Sequence, residues 1–269
     1  MRQNIRFRWN VFGFGLIILV AAVLPVYLKK NASHYNWQKT VDEMRSLLAK
    51  HEHHRSSAQF QREIESIEPL DVNEYFKILT HIRMARGYDL DYVYAKGGLG
   101  SEPILYARKS TEHRLTTIKD LANYAGRHIR WPHKYYDYLE KVEVKGTLEG
   151  YFELVVLRIM GGQFYLTWHC LYNDKTVICD RKKLPEFWKT ATDPIPDEAI
   201  PPEVREEAEK LDFSPRVDVL DDTVVVKVVV FTKWGGFFRE EYHLSRASPH
   251  KIKKIEKEKL VPYDCGCCF

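Results

Sequence analysis

Several residue types and charge patterns are scarce in this chain, and each absence excludes a class of protein. Its 269 residues include only five cysteines, so a framework in which every cysteine pairs internally is excluded. The net charge is a mild +4 and basic residues are interspersed with acidic ones, so the charge pattern of a nucleic-acid-binding protein is missing. A hydrophobic content of 45% excludes a chain that is disordered over most of its length.

The short motifs of common catalytic sites are also missing. The chain has no Gly-x-Ser-x-Gly elbow, no His-Glu-x-x-His pair, no nucleotide-binding loop and no EF-hand loop. The Gly97-x-x-Gly100 spacing comes nearest to a phosphate loop, but a strand pattern follows it instead of a helix. An enzyme with dispersed catalytic groups stays open, and no cofactor is indicated.

Charge is absent from the apolar run Val11 to Leu28, VFGFGLIILVAAVLPVYL. As a helix rising about 1.5 Å per residue, this run would reach roughly 27 Å, close to the hydrocarbon thickness of a bilayer. It predicts an uncleaved transmembrane signal-anchor with the lipid bilayer as its partner. A cleaved signal peptide is the alternative, because Val20-Ala21-Ala22 fits a cleavage site, although apolar residues continue beyond it.

The expected orientation depends on the charges that flank the run. Basic residues lie on both sides: Arg2, Arg6 and Arg8 before it, and Lys29, Lys30, Lys39 and Arg45 after it. The count is nearly balanced, but a short basic tail before a first span usually stays cytoplasmic. We therefore expect a single-pass membrane protein whose C-terminal domain is extracytoplasmic.

The rest of the chain predicts an α+β protein: a helical stalk, then a duplicated antiparallel β-meander region with short helices. Apolar residues at helical spacing from Trp37 to Leu48 indicate the stalk helix. The expected segments are the tail and anchor at 1–30, the stalk at 31–70, a helix-hairpin-helix segment at 71–133, a first β-meander at 134–190, a Pro-rich linker and helix at 191–211, and a second β-meander with a Cys-containing tail at 212–269.

The duplication is inferred from two similar stretches. VVLRIMGGQFYLTWH, which begins at Val155, matches VVFTKWGGFFREEYH, which begins at Val229, in its Gly-Gly pair, a later Phe and an aromatic-His pair. Glycine supplies the positive φ that tight hairpin turns need. Each copy is therefore expected to be a meander of antiparallel strands whose central hairpin turns at Gly-Gly.

The equivalent positions of His169 and His243 in the two copies make them candidate binding residues. Because side chains alternate along a strand, each His should lie on the face opposite its aromatic neighbour. A metal or acid-base site would require the two rings on converging strands. These residues are thus either ordinary sheet residues or part of an envelope hydrolase or metal-dependent enzyme.

The cysteines suggest two further sites. Cys170 and Cys179 flank a predicted hairpin and would oppose each other across its strands, which favours a disulfide in an oxidising compartment. Near the C-terminus, Cys265, Cys267 and Cys268 are soft ligands that would need a distant His or Cys to hold a metal. An unspecialised tail, or a disulfide to another chain, is the alternative.

An aromatic loop completes the candidates, with Trp131, Tyr135, Tyr136 and Asp137 as binding residues. Such a loop would stack on the sugar rings of an envelope polysaccharide, or dock a connection onto the sheet. Together these patterns predict a membrane-anchored protein that acts through binding or structural contacts with an envelope protein or polysaccharide.

Overall fold

The computed structural model describes residues 35–50, 69–96, 100–129, 134–168, 175–190 and 200–264. Residues 36–269 belong to one compact unit. The helices of the described part are α1 (Trp37–Ala49), α2 (Tyr75–Ile78), α3 (Ile118–Tyr124), α4 (Leu148–Met160), α5 (Leu184–Thr190) and α6 (Pro202–Glu209). Short 3-10 turns precede α2 at Val72–Glu74, β4 at Asp137–Lys141 and α5 at Arg181–Lys183.

The described strands form three antiparallel sheets. They are β1 (Ile82–Met84), β2 (Tyr88–Lys96), β3 (Gly100–Lys109), β4 (Val142–Val144), β5 (Thr167–Trp168), β6 (Thr176–Ile178), β7 (Arg216–Val219), β8 (Thr223–Thr232), β9 (Gly236–Ser245) and β10 (Ile252–Val261). The largest sheet has the order β10-β9-β8-β6, and β7 pairs with β8 beside β6. The others are β2-β3-β5 and the pair β1-β4. The α+β class is therefore confirmed.

The Val-rich strand β8 lies at the centre of the largest sheet and is buried along most of its length. One face of this strand contributes Val229 and Phe231 to a core that also contains Phe187, Trp188 and Phe237. Aromatic rings pack edge to face there, with the ring centroids of Phe187 and Phe231 4.9 Å apart. The core is closed by α5 and α6, so helices cover one end of this face.

Helix α4 is the central helix of the fold. The Thr147 side chain caps it by accepting the N–H of Gly150 at 3.2 Å. Nearly every residue from Gly150 to Met160 is buried, on all sides of the helix. A helix that is apolar all round is typical of a fully buried core element.

This helix corrects the predicted duplication. Val155 to Met160 was expected to be a strand of the first meander, but these residues are the C-terminal half of α4. The pair Gly161-Gly162 follows the helix instead of turning a hairpin, whereas Gly236 (φ +85°) does turn the β8–β9 hairpin. A short apolar run that is buried on every side carries no period, so its sequence does not distinguish a helix from a strand.

The predicted stalk is a second correction. Helix α1 packs into the body: Val41 and Met44 are 0% exposed, and the ring of Trp37 lies 4.7 Å from that of Phe152 on α4. The Gln38 side chain accepts the backbone N–H groups of Cys179 and Asp180. The apolar stripe that predicted a stalk is therefore the face by which this helix joins the core.

The transmembrane part of the predicted fold has no counterpart in the described part of the chain. Within the described residues, no helix is both long and apolar enough to cross a membrane. The run Val11 to Leu28 lies outside the described residues. The first helix of the predicted 71–133 segment is short, because α2 ends at Ile78 and β1 begins at Ile82.

Candidate ligand-binding groove

Helix α3 lies between β3 and the 3-10 turn at 137–141, and it begins with a capping box. The Thr117 side chain accepts the N–H of Asp120 at 3.1 Å, and the Asp120 carboxylate accepts the N–H of Thr117 at 3.0 Å. Hydrogen bonds from Thr117 lower the pKa of Asp120. Leu121, which is 0% exposed, fastens the helix to a small core with Val93 and Ile104 of the β2–β3 hairpin.

Gly126 ends the helix and turns the chain back alongside it. Its φ of +65° is the left-handed conformation that glycine adopts without strain. The N–H of Gly126 reaches the carbonyl of Asn123, and the N–H of Arg127 reaches that of Ala122, both at 3.1 Å. These bonds define a Schellman motif. Residues 127–129 consequently line one side of a groove whose other side is α3.

The α3 groove has a volume of about 660 Å³ and is open to solvent. It is lined by Ile118, Lys119, Ala122, Asn123, Gly126, Arg127, His128 and Ile129. Lys119, Ala122, Asn123 and Gly126 follow the three- and four-residue spacing that places side chains on one helix face. The lining thus has an apolar part, formed by Ile118, Ala122 and Ile129 and called its floor below, and four side chains that can donate hydrogen bonds. This combination is typical of ligand sites.

Arg127 is positioned by residues outside the groove. One of its terminal nitrogens donates a short hydrogen bond to the Asp137 carboxylate, and its guanidinium lies 5.6 Å from the centre of the Tyr135 ring. The hydrogen bond to Asp137 raises the pKa of Arg127. Two residues of the predicted aromatic loop therefore support a groove residue.

The same contacts determine what the predicted aromatic residues can do. Tyr135 is only 9% exposed, and its burial raises the pKa of its hydroxyl to about 12. The guanidinium of Arg158 lies 3.4 Å from the centre of the Tyr136 ring, so one face of that ring is covered. Trp131 lies outside the described residues. Tyr135 and Tyr136 are thus packed against arginines, and stacking on a sugar stays a prediction for Trp131.

His243 lies on β9 opposite Val225 of β8, and its side chain is 25% exposed. Its buried neighbour Tyr242 points to the other face, as expected from strand alternation. The Nε2 atom of His243 is 3.1 Å from Glu256, an ion-pair distance, but in an orientation that makes no hydrogen bond. His169 lies outside the described residues, so a site shared by the two rings stays a prediction.

The cysteine predictions are only partly covered by the described residues. Cys179 is a free and buried cysteine, and burial raises the pKa of its thiol well above the usual range. Cys170, Cys265, Cys267 and Cys268 lie outside the described residues, so the disulfide and the tail metal site stay predictions. Among the described side chains, no three His, Cys, Asp or Glu residues come together as a metal site.

Sequence reasoning missed an interaction between the turn before β1 and helix α4. The Glu153 carboxylate on α4 is 0% exposed and accepts both the backbone N–H of His81 at 2.7 Å and its ring Nδ1 at 2.8 Å. The His81 ring is partly exposed. Nothing in the local pattern links residues so far apart in the chain.

The groove residues Lys119, Asn123, Arg127 and His128 were missed as well. The signals for the groove were present, namely a capping box, a Lys–Asn pair on one helix face and a terminal glycine, but they predicted only a short helix. Comparison of the chain with protein-family models, curated proteins and solved structures finds no match.

Proposed function

We propose that this is a membrane-attached binding protein whose ligand occupies the α3 groove. The observation that carries the proposal is the groove lining, in which Lys119, Asn123, Arg127 and His128 surround an apolar floor. A volume of about 660 Å³ lies within the range that small-molecule sites occupy, roughly 300–1,000 Å³. A segment of an envelope polysaccharide or a loop of an envelope protein would also enter a groove that is open to solvent.

Membrane attachment is proposed through Val11 to Leu28, with residues 36–269 on the extracytoplasmic side. The uncharged run and its basic flanks support this placement. Peptide mapping of the native protein without reductant tests on which side of the membrane residues 36–269 lie. A Cys170–Cys179 bridge would support an oxidising compartment, whereas alkylation of both thiols after unfolding in the absence of reductant would contradict it.

The groove is tested by filling it. Ala122 lines the groove, so Ala122→Trp should occupy its floor, while Ala247→Trp in the exposed β9–β10 loop is the matched control. Thermal unfolding is followed with a panel of neutral sugars, acidic sugars, sugar phosphates and inorganic phosphate.

A panel member at a hundredfold excess over its Kd should stabilise the unchanged protein by about 2.7 kcal/mol. The same compound should also stabilise the Ala247→Trp control, but it should lose most of its effect in Ala122→Trp. Equal stabilisation of both variants would place the site elsewhere, and the proposal would then fail.

A further inference from the structure

If the α3 groove binds a ligand as proposed above, the charges of its lining indicate the chemical class of that ligand. We propose that the ligand carries an anionic group, a carboxylate or a phosphate, which binds Lys119 and Arg127. The side chains of Asn123 and His128 would donate further hydrogen bonds to it, and the apolar part of the ligand would lie on Ile118, Ala122 and Ile129.

The first observation is the absence of a competing charge in the lining. None of the described residues that line the groove is acidic. Some lysines elsewhere in the protein have carboxylate partners, such as Lys183, whose Nζ lies 3.0 Å from Asp42. Lys119 has no ion pair with any described residue, and Arg127 pairs with Asp137, which is not part of the lining. Such a concave site attracts anions.

The second observation is the way Arg127 is held. Asp137 binds one end of the guanidinium and Tyr135 lies against it, which fixes a side chain that would otherwise lose rotamer freedom on binding. An arginine has five N–H donors, and Asp137 accepts from one terminal nitrogen. The remaining donors of this planar fork suit the paired oxygens of a carboxylate or phosphate.

Asp137 also gives the inference a sharp test. It is the anion nearest to Arg127, so its charge should oppose an anionic ligand while its hydrogen bond orients the arginine. Asp137→Asn keeps the size of the side chain and an oxygen that can accept from Arg127, but removes the charge. We therefore expect tighter binding of anions in this variant, whereas a purely structural role for Asp137 would weaken binding.

Three sugars with the same ring distinguish the ligand classes: glucose, glucuronate and glucose 6-phosphate. Their affinities are measured by calorimetry on the full chain in detergent. At least one of the two anions should bind roughly tenfold more tightly than glucose, which corresponds to about 1.4 kcal/mol. Whether glucuronate or glucose 6-phosphate binds more tightly identifies the anionic group.

Lys119→Gln and Arg127→Gln should each weaken binding of the preferred anion roughly tenfold, since each removes a charged hydrogen bond. The control Lys182→Gln, on the 3-10 turn at 181–183, should leave the affinity for that anion unchanged. Asp137→Asn should increase that affinity severalfold. If neither anion binds more tightly than glucose, or if Asp137→Asn weakens binding, the inference is overturned. The proposed binding function would still stand if a neutral panel member lost its effect in Ala122→Trp.

Discussion

The buried carboxylate of Glu153 shows how one residue links two parts of the fold. A charged group that leaves water must be compensated by hydrogen bonds, and here the His81 backbone and ring supply them. The interaction joins the turn before β1 to the N-terminal half of α4. The pair thus connects the small β1–β4 sheet to the central helix.

We expect His81→Ala to lower the free energy of unfolding by about 1–3 kcal/mol, because it removes one hydrogen bond to the buried Glu153 carboxylate and leaves the one from the backbone N–H. Arg83→Ala on the adjoining strand β1 is the matched control. Its side chain is 76% exposed and pairs with Glu143 of β4, so its loss should cost about 0–1 kcal/mol. Urea unfolding followed by circular dichroism measures both. Equal costs would show that the buried pair contributes no more than a surface ion pair.

At the scale of the element, β10 is an edge strand of the largest sheet and is exposed on most of its residues. Lys257 and Lys259 are opposite Glu240 and Phe238 of β9, so both lysines lie on the same face as Ile255. If the β10 strands of two copies paired about a two-fold axis, each residue would face a residue whose side chain lies on the same face of the sheet, so the two residue numbers would both be odd or both be even. Registers centred on Glu256, Lys257 or Glu258 then place like charges directly opposite each other, which disfavours pairing.

The double variant Lys257→Ile/Lys259→Ile should therefore associate through β10, because it replaces the charges beside Ile255 with an apolar row. The variant removes the ion pair of Lys257 with the buried Glu240 carboxylate, which keeps its hydrogen bond from the Tyr242 hydroxyl, and circular dichroism verifies that the sheet is folded. Sedimentation velocity should show association that increases with concentration. A double variant of two exposed lysines outside the sheet, Lys182→Ile/Lys210→Ile, is the control. Identical sedimentation of the two variants would rule out protection of the edge by charge.

At the scale of the whole molecule, α1 is part of the body. It contacts the central helix through Trp37, and the Arg45 guanidinium donates to the carbonyl of Val177 on β6 at 3.2 Å. Helix α1 therefore bridges the central helix and the largest sheet, and its loss would expose apolar surface on both.

Met44→Ala tests this role directly. Met44 is 0% exposed, so its truncation should lower the free energy of unfolding by about 2–5 kcal/mol. Lys39→Ala on the exposed face of the same helix removes a surface ion pair with Glu43 and should cost about 0–1 kcal/mol. Thermal unfolding of both variants provides the measurement. A stalk would instead unfold independently of the body, and Met44→Ala would leave the main transition unchanged.

Prediction from the sequence succeeded where the pattern was local. The hairpin and the second helix of the 71–133 segment, the β8–β9 hairpin and the helix after the Pro-rich linker all depend on residues a few positions apart. It failed for α4, whose apolar run has no period, and for α1, whose stripe did not reveal its partner. The helix of the groove was predicted, but the contact between Arg127 and Asp137 brings together segments that no local pattern connects.

The sequence by itself therefore determined the α+β class, the β8–β9 hairpin, and the hairpin and second helix of the 71–133 segment, because turn chemistry and alternation act over short distances. Only the tertiary structure decided that α1 joins the core, that Val155 to Met160 is helical, and that residues 126–129 close a basic groove against α3. These outcomes depend on which apolar surfaces meet. The free energy of burial is set by all the surfaces in contact, and no single segment of the chain contains that information.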